Sequence, residues 1–550
     1  MRSFTRFALP YWLATLFIAL YFAVVLNLPI YAKISEIFSH LEQVKLGFII
    51  SIPLFFILAL NLIFQLFSWP FLFKPFFILL ILLSSIVSYS SFNYGTIFDQ
   101  DMLVNILETN AGEASSYISL YSLTWILGLG VLPSVLLALL PIKKERTFIR
   151  FIAKKCLAMI LSVLGILLIA ALYYQDYSSV GRNNSYLNKM IIPTQFVYSA
   201  YGQVKDSYFS KPMVYKTLAT DAKQIANAAA NTSANKPNLI IFLLGETARA
   251  QNYQYHGYAR DTNAYTQAYH PFFFSNMSSC GTATAVSVPC LFSNMNKANF
   301  NRKQADHQDN LLDILQRAGI NLLWKENDGG DKAVAKNIPL INIDTSRQDQ
   351  QCNGHSCYDM VLLENLDQQI SAMSGNRMIV MHLMGSHGPT YFQRYPSSMA
   401  TYQPDCPRAD IENCSIEQIQ NSYDNSIRYT DFVTAQVIKH LQSLQQYNTA
   451  LIYVSDHGES LGENGLFLHG MPYSLAPETQ TKVPLLFWMS PGFAKQKHID
   501  SSCLNASRDK PYSHDNLFHS LLGLMDVSTQ EYHASEDIFS PCRSLTNSSF

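Results

Sequence analysis

The sequence has no excess of basic charge and few cysteines. Lysine and arginine together number 39 against 40 aspartate and glutamate residues, so the formal net charge is −1. This balance lacks the positive field that nucleic-acid-binding proteins use, and we expect no nucleic-acid partner. No C-x-x-C pair occurs among the nine cysteines, so the spacing of a zinc ribbon is absent.

Charged residues are also scarce before residue 175, where five long apolar runs lie: Leu9–Tyr31, Leu46–Trp69, Phe71–Ser91, Ile118–Ile142 and Cys156–Tyr174. Each run is close to the ~20 residues with which a helix crosses ~30 Å of hydrocarbon. A cleavable signal peptide would account only for the first run, which is too long and has no small-residue cleavage site. Five runs in so short a segment disfavour buried helices of a soluble protein. The pattern therefore predicts a transmembrane domain of five helices over residues 1–175.

Basic residues set the expected orientation of these spans. Arg2 and Arg6 precede the first run, Lys74 lies between the second and third, and Lys143–Lys155 contains six basic residues between the fourth and fifth. The connection 92–117 has four acidic residues and no lysine or arginine. By the positive-inside rule, the N-terminus lies in the cytoplasm, and five crossings place the chain after residue 175 outside.

The cysteines agree with export. Cys156 lies in a predicted span, and the other eight lie in the part of the chain predicted to be exported. An even number of cysteines in an oxidising compartment indicates disulfides. Proximity in sequence favours the pairs Cys280–Cys290, Cys352–Cys357 and Cys406–Cys414, which leaves Cys503–Cys542.

Residues 176–236 form a connector between the apolar part and the rest of the chain. Its first half mixes aromatic, aliphatic and polar residues, which suits a segment in the headgroup region of a membrane or a helix packed on the exported domain. Its second half is polar and alanine-rich, as in a spacer.

From residue 237 to 550, short apolar runs alternate with amphipathic stretches. Strands are predicted at 238–245, 320–324, 377–385, 449–456 and 483–490, and helices at 308–319 and 427–446. Continuous apolar strands alternating with helices indicate an α/β domain whose mixed, largely parallel sheet is covered on both faces. Ligands of such sheets bind outside the carboxyl ends of the strands.

Acids and histidines cluster near the carboxyl ends of those predicted strands: Glu246, Asp328, His382 within its strand, His387, Asp456, His457 and Glu459, with His469 further along the chain. Asn327 and Lys332 also follow the strand 320–324. A single histidine is more often structural than functional. Several carboxylates and imidazoles at one sheet edge instead indicate a metal site, since these are ligands that Zn²⁺ accepts.

The segment SSCGTATAVSVPC, residues 278–290, places Thr282 and Thr284 between two cysteines. It could be an ordinary stapled turn or could present a nucleophile. A threonine hydroxyl is a poor nucleophile by itself, but a metal ion lowers the pKa of a bound oxygen and supplies positive charge to a phosphoryl group. The nearby acids and histidines favour the second interpretation.

Together, LLGETAR, SCGTATAVSVPC, GSHGPTY, SDHGESLGE and FLHGMP resemble the lipid A phosphoethanolamine transferases of Gram-negative bacteria, which include mobile colistin-resistance enzymes. The resemblance covers essentially the full chain. It implies five inner-membrane spans followed by a periplasmic α/β/α domain of alkaline-phosphatase type, and we expect a monomer.

The resemblance also implies roles for individual residues. Thr284 matches the nucleophile, and Glu246, Asp456 and His457 match the ligands of a zinc ion that also contacts this threonine. His387 and His469 match histidines that bind the donor phosphate or a second metal ion during turnover. Lys332 matches a substrate-binding basic residue on a looser motif, with Asn327 and Asp328 as further candidates for donor contact.

The implied reaction moves phosphoethanolamine from phosphatidylethanolamine to a phosphate of lipid A through a phosphothreonine-type intermediate. The product carries less negative charge, which would confer resistance to polymyxin and colistin. Kdo, heptose or another envelope glycan remain alternative acceptors. A membrane-anchored phosphatase or sulfatase is a second hypothesis, although sulfatases use a modified cysteine or serine rather than threonine. A non-catalytic scaffold is a third, and it would not require Glu246, Thr284, Asp456 and His457 together.

The charge pattern makes the topology testable with reporter fusions. An enzyme reporter that works only in the periplasm should be active after Phe550 and silent within Lys143–Lys155, because the basic segment stays in the cytoplasm. The opposite pattern of activity would reverse the orientation.

Overall fold

A computed structural model of the chain describes residues 8–41, 43–109, 111–209, 212–225 and 236–543. The chain divides into two compact units. One comprises Met1–Leu103 and Ile118–Phe209, and the other comprises Val104–Tyr117 and Ser210–Phe550. The expected connector 176–236 thus divides between the two units. Arg2, Arg6 and most of the polar spacer lie outside the described residues.

The first unit is built of long apolar helices. Four of its described helices are long and apolar enough to cross a membrane: Leu46–Phe67, Phe73–Asn93, Leu120–Leu139 and Phe148–Asn183. The first apolar run is instead a bent pair, Tyr11–Leu26 and Leu28–Ser39, with an angle of 52°. The expected helical membrane domain is confirmed, with five spans where this pair counts as one.

The bend has a local cause at Asn27. Pro29 lies in the first turn of the second helix, where its missing N–H costs no helical hydrogen bond. The Asn27 side-chain amide donates to the carbonyls of Phe22 and Ile192 and thereby satisfies backbone groups at the break.

The remaining described α-helices before residue 210 are Gln100–Glu108, Ala111–Ser116 and Thr194–Tyr208. Those of the second unit beyond residue 210 are Thr284–Leu291, Arg302–Asp306, Leu311–Arg317, Leu366–Ala372, Ile416–Ser443, Glu478–Thr481, Pro491–Lys497, Ser501–Ser507 and Asp515–Leu524. Ser415 begins the longest of these with a capping box, in which its side chain and that of Gln418 bond each other's backbone N–H groups.

The second unit has an eight-stranded sheet. In chain order its strands are β1 (Asn238–Gly245), β2 (Phe272–Ser278), β3 (Asn321–Glu326), β4 (Leu340–Asn342), β5 (Arg377–His382), β6 (Asn448–Ser455), β7 (Lys482–Met489) and β8 (Tyr512–Ser513). Their order across the sheet is β8-β2-β7-β6-β1-β5-β3-β4. Short strand pairs outside this sheet are Leu9–Pro10 with Ile142–Lys143, Lys223–Gln224 with Val527–Ser528, and Ser460–Leu461 with Phe467–Leu468.

Strand directions match the expected mixed, largely parallel sheet. β7 is antiparallel to both of its neighbours, and every other pairing in the sheet is parallel. Each residue of β1 is buried, as a central strand covered on both faces requires. The carboxyl ends of β1, β3, β5 and β6 therefore lie at one edge of the sheet.

Apolar packing holds this edge in place. In the core cluster of the second unit, the ring of Phe292, which follows the helix Thr284–Leu291, packs against both Phe242 of β1 and Trp324 of β3. Their complete burial stabilises the frame that carries the strand-end residues.

Four disulfides occur in the second unit, and they are the pairs that sequence proximity favours: Cys280–Cys290, Cys352–Cys357, Cys406–Cys414 and Cys503–Cys542. Cys503–Cys542 spans 39 positions, whereas Cys352–Cys357 spans 5. Longer loops lose more conformational entropy in the unfolded chain when they are closed.

The loop lengths predict unequal contributions to stability. Replacing Cys503 and Cys542 by serine should lower the free energy of unfolding by about 4 kcal/mol, against about 2 kcal/mol for the Cys352 and Cys357 pair. Pulse proteolysis of the purified full chain across a urea series would measure both. Equal losses would contradict the loop-length argument.

Candidate active site and metal centre

Three neighbouring strands bring acids and histidines to one edge of the sheet. Glu246 follows β1, Asp456 and His457 follow β6, and His382 is the last residue of β5. β1 pairs with both β5 and β6 in parallel, so these strand ends are adjacent. The convergence is the one expected for a ligand site of an α/β sheet.

Glu246, Asp456 and His457 form a fully buried group that could hold a metal ion, with one ligand atom from each within 4.8 Å of the others. His457 Nε2 lies 3.4 Å from Glu246 Oε1 and 3.3 Å from Asp456 Oδ2. Thr284 Oγ1 completes the group, at 3.2 Å from Glu246 Oε2 and 3.3 Å from His457 Nε2.

These separations suit a tetrahedral metal centre. Ligands at about 2.0–2.1 Å from one tetrahedral ion lie roughly 3.3 Å from one another. In addition, Asp456 Oδ2 is buried without a hydrogen-bond partner among the described residues. A cation between these atoms would satisfy that oxygen, so the residues fit a bound metal ion.

The charges of the group lead to the same conclusion. Burial raises the pKa of Asp456 to about 6. Burial also raises the pKa of Glu246, and the negative charge of Asp456 raises it further. Two buried carboxylates this close disfavour each other's ionised form, and a cation relieves that repulsion.

The two threonines of the 278–290 segment have different surroundings. Thr284 is the first residue of the helix Thr284–Leu291, so its hydroxyl lies at the positive end of the helix dipole. Thr282 Oγ1 instead donates to the Met471 carbonyl at 2.6 Å. Ser287 Oγ donates to the backbone carbonyl of Asp456 at 2.5 Å. Of these three hydroxyls, Thr284 is the one aimed at the acidic group.

A histidine missed by the sequence analysis supports this segment from behind. His514 Nδ1 accepts the N–H of Cys280 at 3.2 Å, which leaves Nε2 as the protonated nitrogen that donates to the Ser455 carbonyl at 3.0 Å. Burial lowers the pKa of His514 to about 3, so the ring is neutral. Together with the Cys280–Cys290 disulfide, it ties the segment to the end of β6.

His387 and His469 lie beside the group. The rings of His469 and His457 have centroids 4.4 Å apart, and those of His387 and His469 are 5.5 Å apart. His469 Nδ1 lies 2.9 Å from Glu459 Oε2, which fixes the ring orientation. Burial raises the pKa of Glu459 to about 8.

The three residues of the looser motif have different positions. Asn327 donates to the Cys357 carbonyl and to Asp359, so it holds the local chain. Asp328 is buried, and burial followed by the charge of Glu246 raises its pKa to about 7. Lys332 lies on the same loop with a positive φ of 49°, and its charge acts on Asp328.

Glu326 and His382 belong to the same buried region. His382 was expected in the cluster at the strand ends but without a specific role, and Glu326 was not singled out from the sequence. Glu326 Oε2 lies 2.9 Å from His382 Nδ1. Burial opposes a charge on the His382 ring, but Glu326, Asp328 and Glu246 outweigh it and raise the pKa to about 10. Burial acts to raise the pKa of Glu326, but His382 outweighs burial and the pKa falls to about 2. Their positions at the ends of β3 and β5 are the signal that could have identified them.

Gly385 allows this close packing. It has a positive φ of 53°, and a Cβ at this position would lie 2.5 Å from the backbone oxygen of Glu246. A larger residue would therefore displace Glu246.

Two family profiles match the chain. The profile described as Sulfatase matches residues 238–527, which contain the sheet and the site. The profile described as Phosphoethanolamine transferase EptA/EptB matches residues 56–208.

Curated relatives match over nearly their full length. Phosphoethanolamine transferase EptA of Escherichia coli strain K12 is 37% identical over 97% of both chains. Phosphatidylethanolamine transferase Mcr-1 of Escherichia coli is 34% identical over 94% of both chains.

A solved structure extends the similarity to the whole fold. The integral membrane protein lipooligosaccharide phosphoethanolamine transferase A (EptA) from Neisseria meningitidis superposes with a TM-score of 0.92 at 34% identity, covering 98% of this chain and 99% of that one. The expected integral membrane protein with a periplasmic catalytic domain is confirmed. The chain therefore belongs to the EptA and Mcr family of phosphoethanolamine transferases, within the sulfatase and alkaline phosphatase superfamily.

Proposed function

We propose that this protein transfers phosphoethanolamine from phosphatidylethanolamine to a phosphate of lipid A, with Thr284 as the residue that carries the group between them. The observation that carries the proposal is the position of Thr284 Oγ1, 3.2 Å from Glu246 and 3.3 Å from His457 at the edge of the sheet. Residues 237–550 form the catalytic domain in this proposal, residues 1–175 anchor it, and residues 176–236 connect them. All the proposed catalytic residues come from one chain, so no second copy is required.

Glu246, Thr284, Asp456 and His457 would hold a zinc ion, since two carboxylates, a hydroxyl and an imidazole nitrogen at tetrahedral separations are ligands that Zn²⁺ accepts. When bound, zinc lowers the pKa of a hydroxyl ligand and offsets the negative charge that develops on a transferring phosphoryl group.

In the first half-reaction, Thr284 Oγ1 attacks the phosphorus of the donor. The bond from Oγ1 to phosphorus forms while the bond from phosphorus to the glycerol oxygen breaks. Diacylglycerol leaves with a proton, and phosphoethanolamine stays on Thr284 as an ester. The position of Thr284 at a helix N-terminus favours the phosphoryl oxygens, because this end of the helix carries partial positive charge.

The donor phosphate needs further contacts, and we assign these to His387 and His469. A cleft of about 180 Å³ opens beside His387, and Asp328 and Arg394 also line it. Glu459 holds the His469 ring in a fixed orientation toward the site. Lys332 would contribute a positive charge from the loop that carries Asp328. A second metal ion at the two histidines during turnover is the alternative role for them.

In the second half-reaction, a phosphate oxygen of lipid A attacks the phosphorus held on Thr284. The bond from phosphorus to Oγ1 breaks, and the threonine hydroxyl regains its proton. The resemblance to lipid A enzymes supports this acceptor. A relative named Kdo(2)-lipid A phosphoethanolamine 7''-transferase from Escherichia coli strain K12 is 25% identical, below the 37% of the EptA relative, so Kdo is the weaker candidate.

A pair of threonine variants tests the carrier residue. Thr284→Ala should reduce transfer to background, because it removes the attacking oxygen. Thr282→Val is the matched control in the same segment. It should retain most activity, because the Thr282 hydroxyl donates to the Met471 carbonyl and is not aimed at the acidic group. Peptide mass spectrometry of the wild-type chain incubated with donor should find the added mass on Thr284. An adduct on Thr282 or Ser287 would reject the assignment.

The acceptor is tested in a polymyxin-susceptible Gram-negative host. Phosphoethanolamine adds a cationic amine to a phosphate, so cationic polymyxins should bind the surface less tightly. Expression of the wild-type chain should raise the inhibitory concentration of colistin, and Thr284→Ala should not. Mass spectrometry of lipid A should show the added group. Unmodified lipid A beside modified Kdo or heptose would refute the acceptor while leaving the transfer chemistry in place.

A further inference from the structure

A second buried group of metal-ligand type lies next to the first. Glu246, Asp328 and His382 each offer one ligand atom, and these atoms lie within 4.8 Å of one another. All three side chains are more than nine-tenths buried. Glu246 is common to this group and to the group with Asp456 and His457.

Glu326 orients His382 toward this group. Both Glu326 oxygens are engaged: Oε1 accepts the backbone N–H groups of Asp328 and Gly329, and Oε2 accepts the indole N–H of Trp324 at 2.8 Å. His382 Nδ1, at 2.9 Å from the same Oε2, can only donate to this ionised carboxylate. A carboxylate that receives Nδ1–H and leaves Nε2 directed elsewhere is the usual support of a metal-binding histidine.

The far nitrogen of the His382 ring and the facing oxygen of Asp328 make no hydrogen bond with the described residues. His382 Nε2 and Asp328 Oδ1 are both buried and lack hydrogen-bond partners within the described chain. Nε2 lies 3.7 Å from Asp328 Oδ2, which is too long for a hydrogen bond. Two ligands of a shared ion, each about 2.1 Å from it, lie roughly 3–4 Å apart.

The concentration of carboxylates in this region favours a second cation. Glu246, Glu326, Asp328 and Asp456 bring four carboxylates into a buried region beside His382 and His457. Buried carboxylates persist when they are paired with positive charge or bound to metal ions. With a single divalent ion at Glu246, Asp456 and His457, Asp328 has His382 Nε2 at 3.7 Å and the charge of Lys332 as its positive counterparts, and its Oδ1 receives no hydrogen bond from the described residues.

We propose that Glu246, Asp328 and His382 bind a second divalent cation, with Glu246 bridging it to the ion held by Asp456 and His457. Two carboxylates and an imidazole suit Zn²⁺ or Mn²⁺ rather than Mg²⁺, which prefers oxygen ligands throughout. His382 contributes its buried Nε2 to this ion. Its role is to position Glu246. The inference shares Glu246 with the proposed function, so its test must count the two ions separately.

Metal content of the purified full chain in detergent provides that count. After incubation with zinc or manganese and removal of free ions, mass spectrometry of the metals should find two ions per wild-type chain. Asp328→Asn and His382→Gln should each reduce the count from two to one, and Asp456→Asn should also remove one. Asp331→Asn is the matched control, because it makes the same charge change on the loop but lies outside the group. It should retain both ions.

Anomalous diffraction from metal-loaded crystals locates the second ion independently of variant folding. The proposal expects a peak about 2.1 Å from His382 Nε2, distinct from the peak near His457. One ion per wild-type chain under both loading conditions would overturn the proposal. Two ions that Asp328→Asn leaves in place would also overturn it and would direct the search to His387 and His469. Loss of metal only in Asp328→Asn and His382→Gln would uphold this site and reject the proposed zinc site.

Discussion

Buried negative charge at the edge of the sheet is the constraint on which the rest of the site depends. Glu246 is fully buried and belongs to both candidate metal groups, with Asp456 on one side and Asp328 on the other. Acids in such a place are costly to ionise unless positive charge accompanies them. Hydrogen bonds alone do not satisfy them, as the unpartnered Oδ2 of Asp456 shows within the described chain. The arrangement is therefore one that binds cations, and the chemistry proposed for Thr284 uses that property.

The parallel sheet makes this concentration of charge possible. Adjacent strands run the same way, so successive carboxyl ends deliver Glu326, His382, Glu246 and Asp456 to one edge from positions far apart in sequence. The apolar strands beneath are fully buried and restrict movement of those ends. Thr284 comes from a separate segment, and it needs its own supports in His514 and the Cys280–Cys290 bond.

Much of this architecture can be predicted from the sequence because it depends on local patterns of apolar and polar residues. Apolar runs gave the membrane unit and the central strands, but β2 and the short edge strands were missed, since Phe272–Ser278 mixes polar residues with apolar ones and Leu340–Asn342 has only three residues. The break at Asn27 depends on a contact with Ile192, which no local pattern reveals. Within the site, strand-end positions and motifs singled out Glu246, Thr284, Asp456 and His457. Glu326 and His382 were harder, because their relation exists only where β3 lies beside β5.

The Cys280–Cys290 bond also has a consequence for where the protein can be active. Its two cysteines flank Thr284, and the reducing cytosol keeps cysteine thiols from forming disulfides. A newly made chain therefore has a looser segment around this hydroxyl until export exposes the cysteines to oxidation. Maturation of the segment is thus tied to arrival in the compartment where the reaction belongs. A chain retained in the cytosol therefore lacks one of the restraints that hold its threonine toward the acidic group.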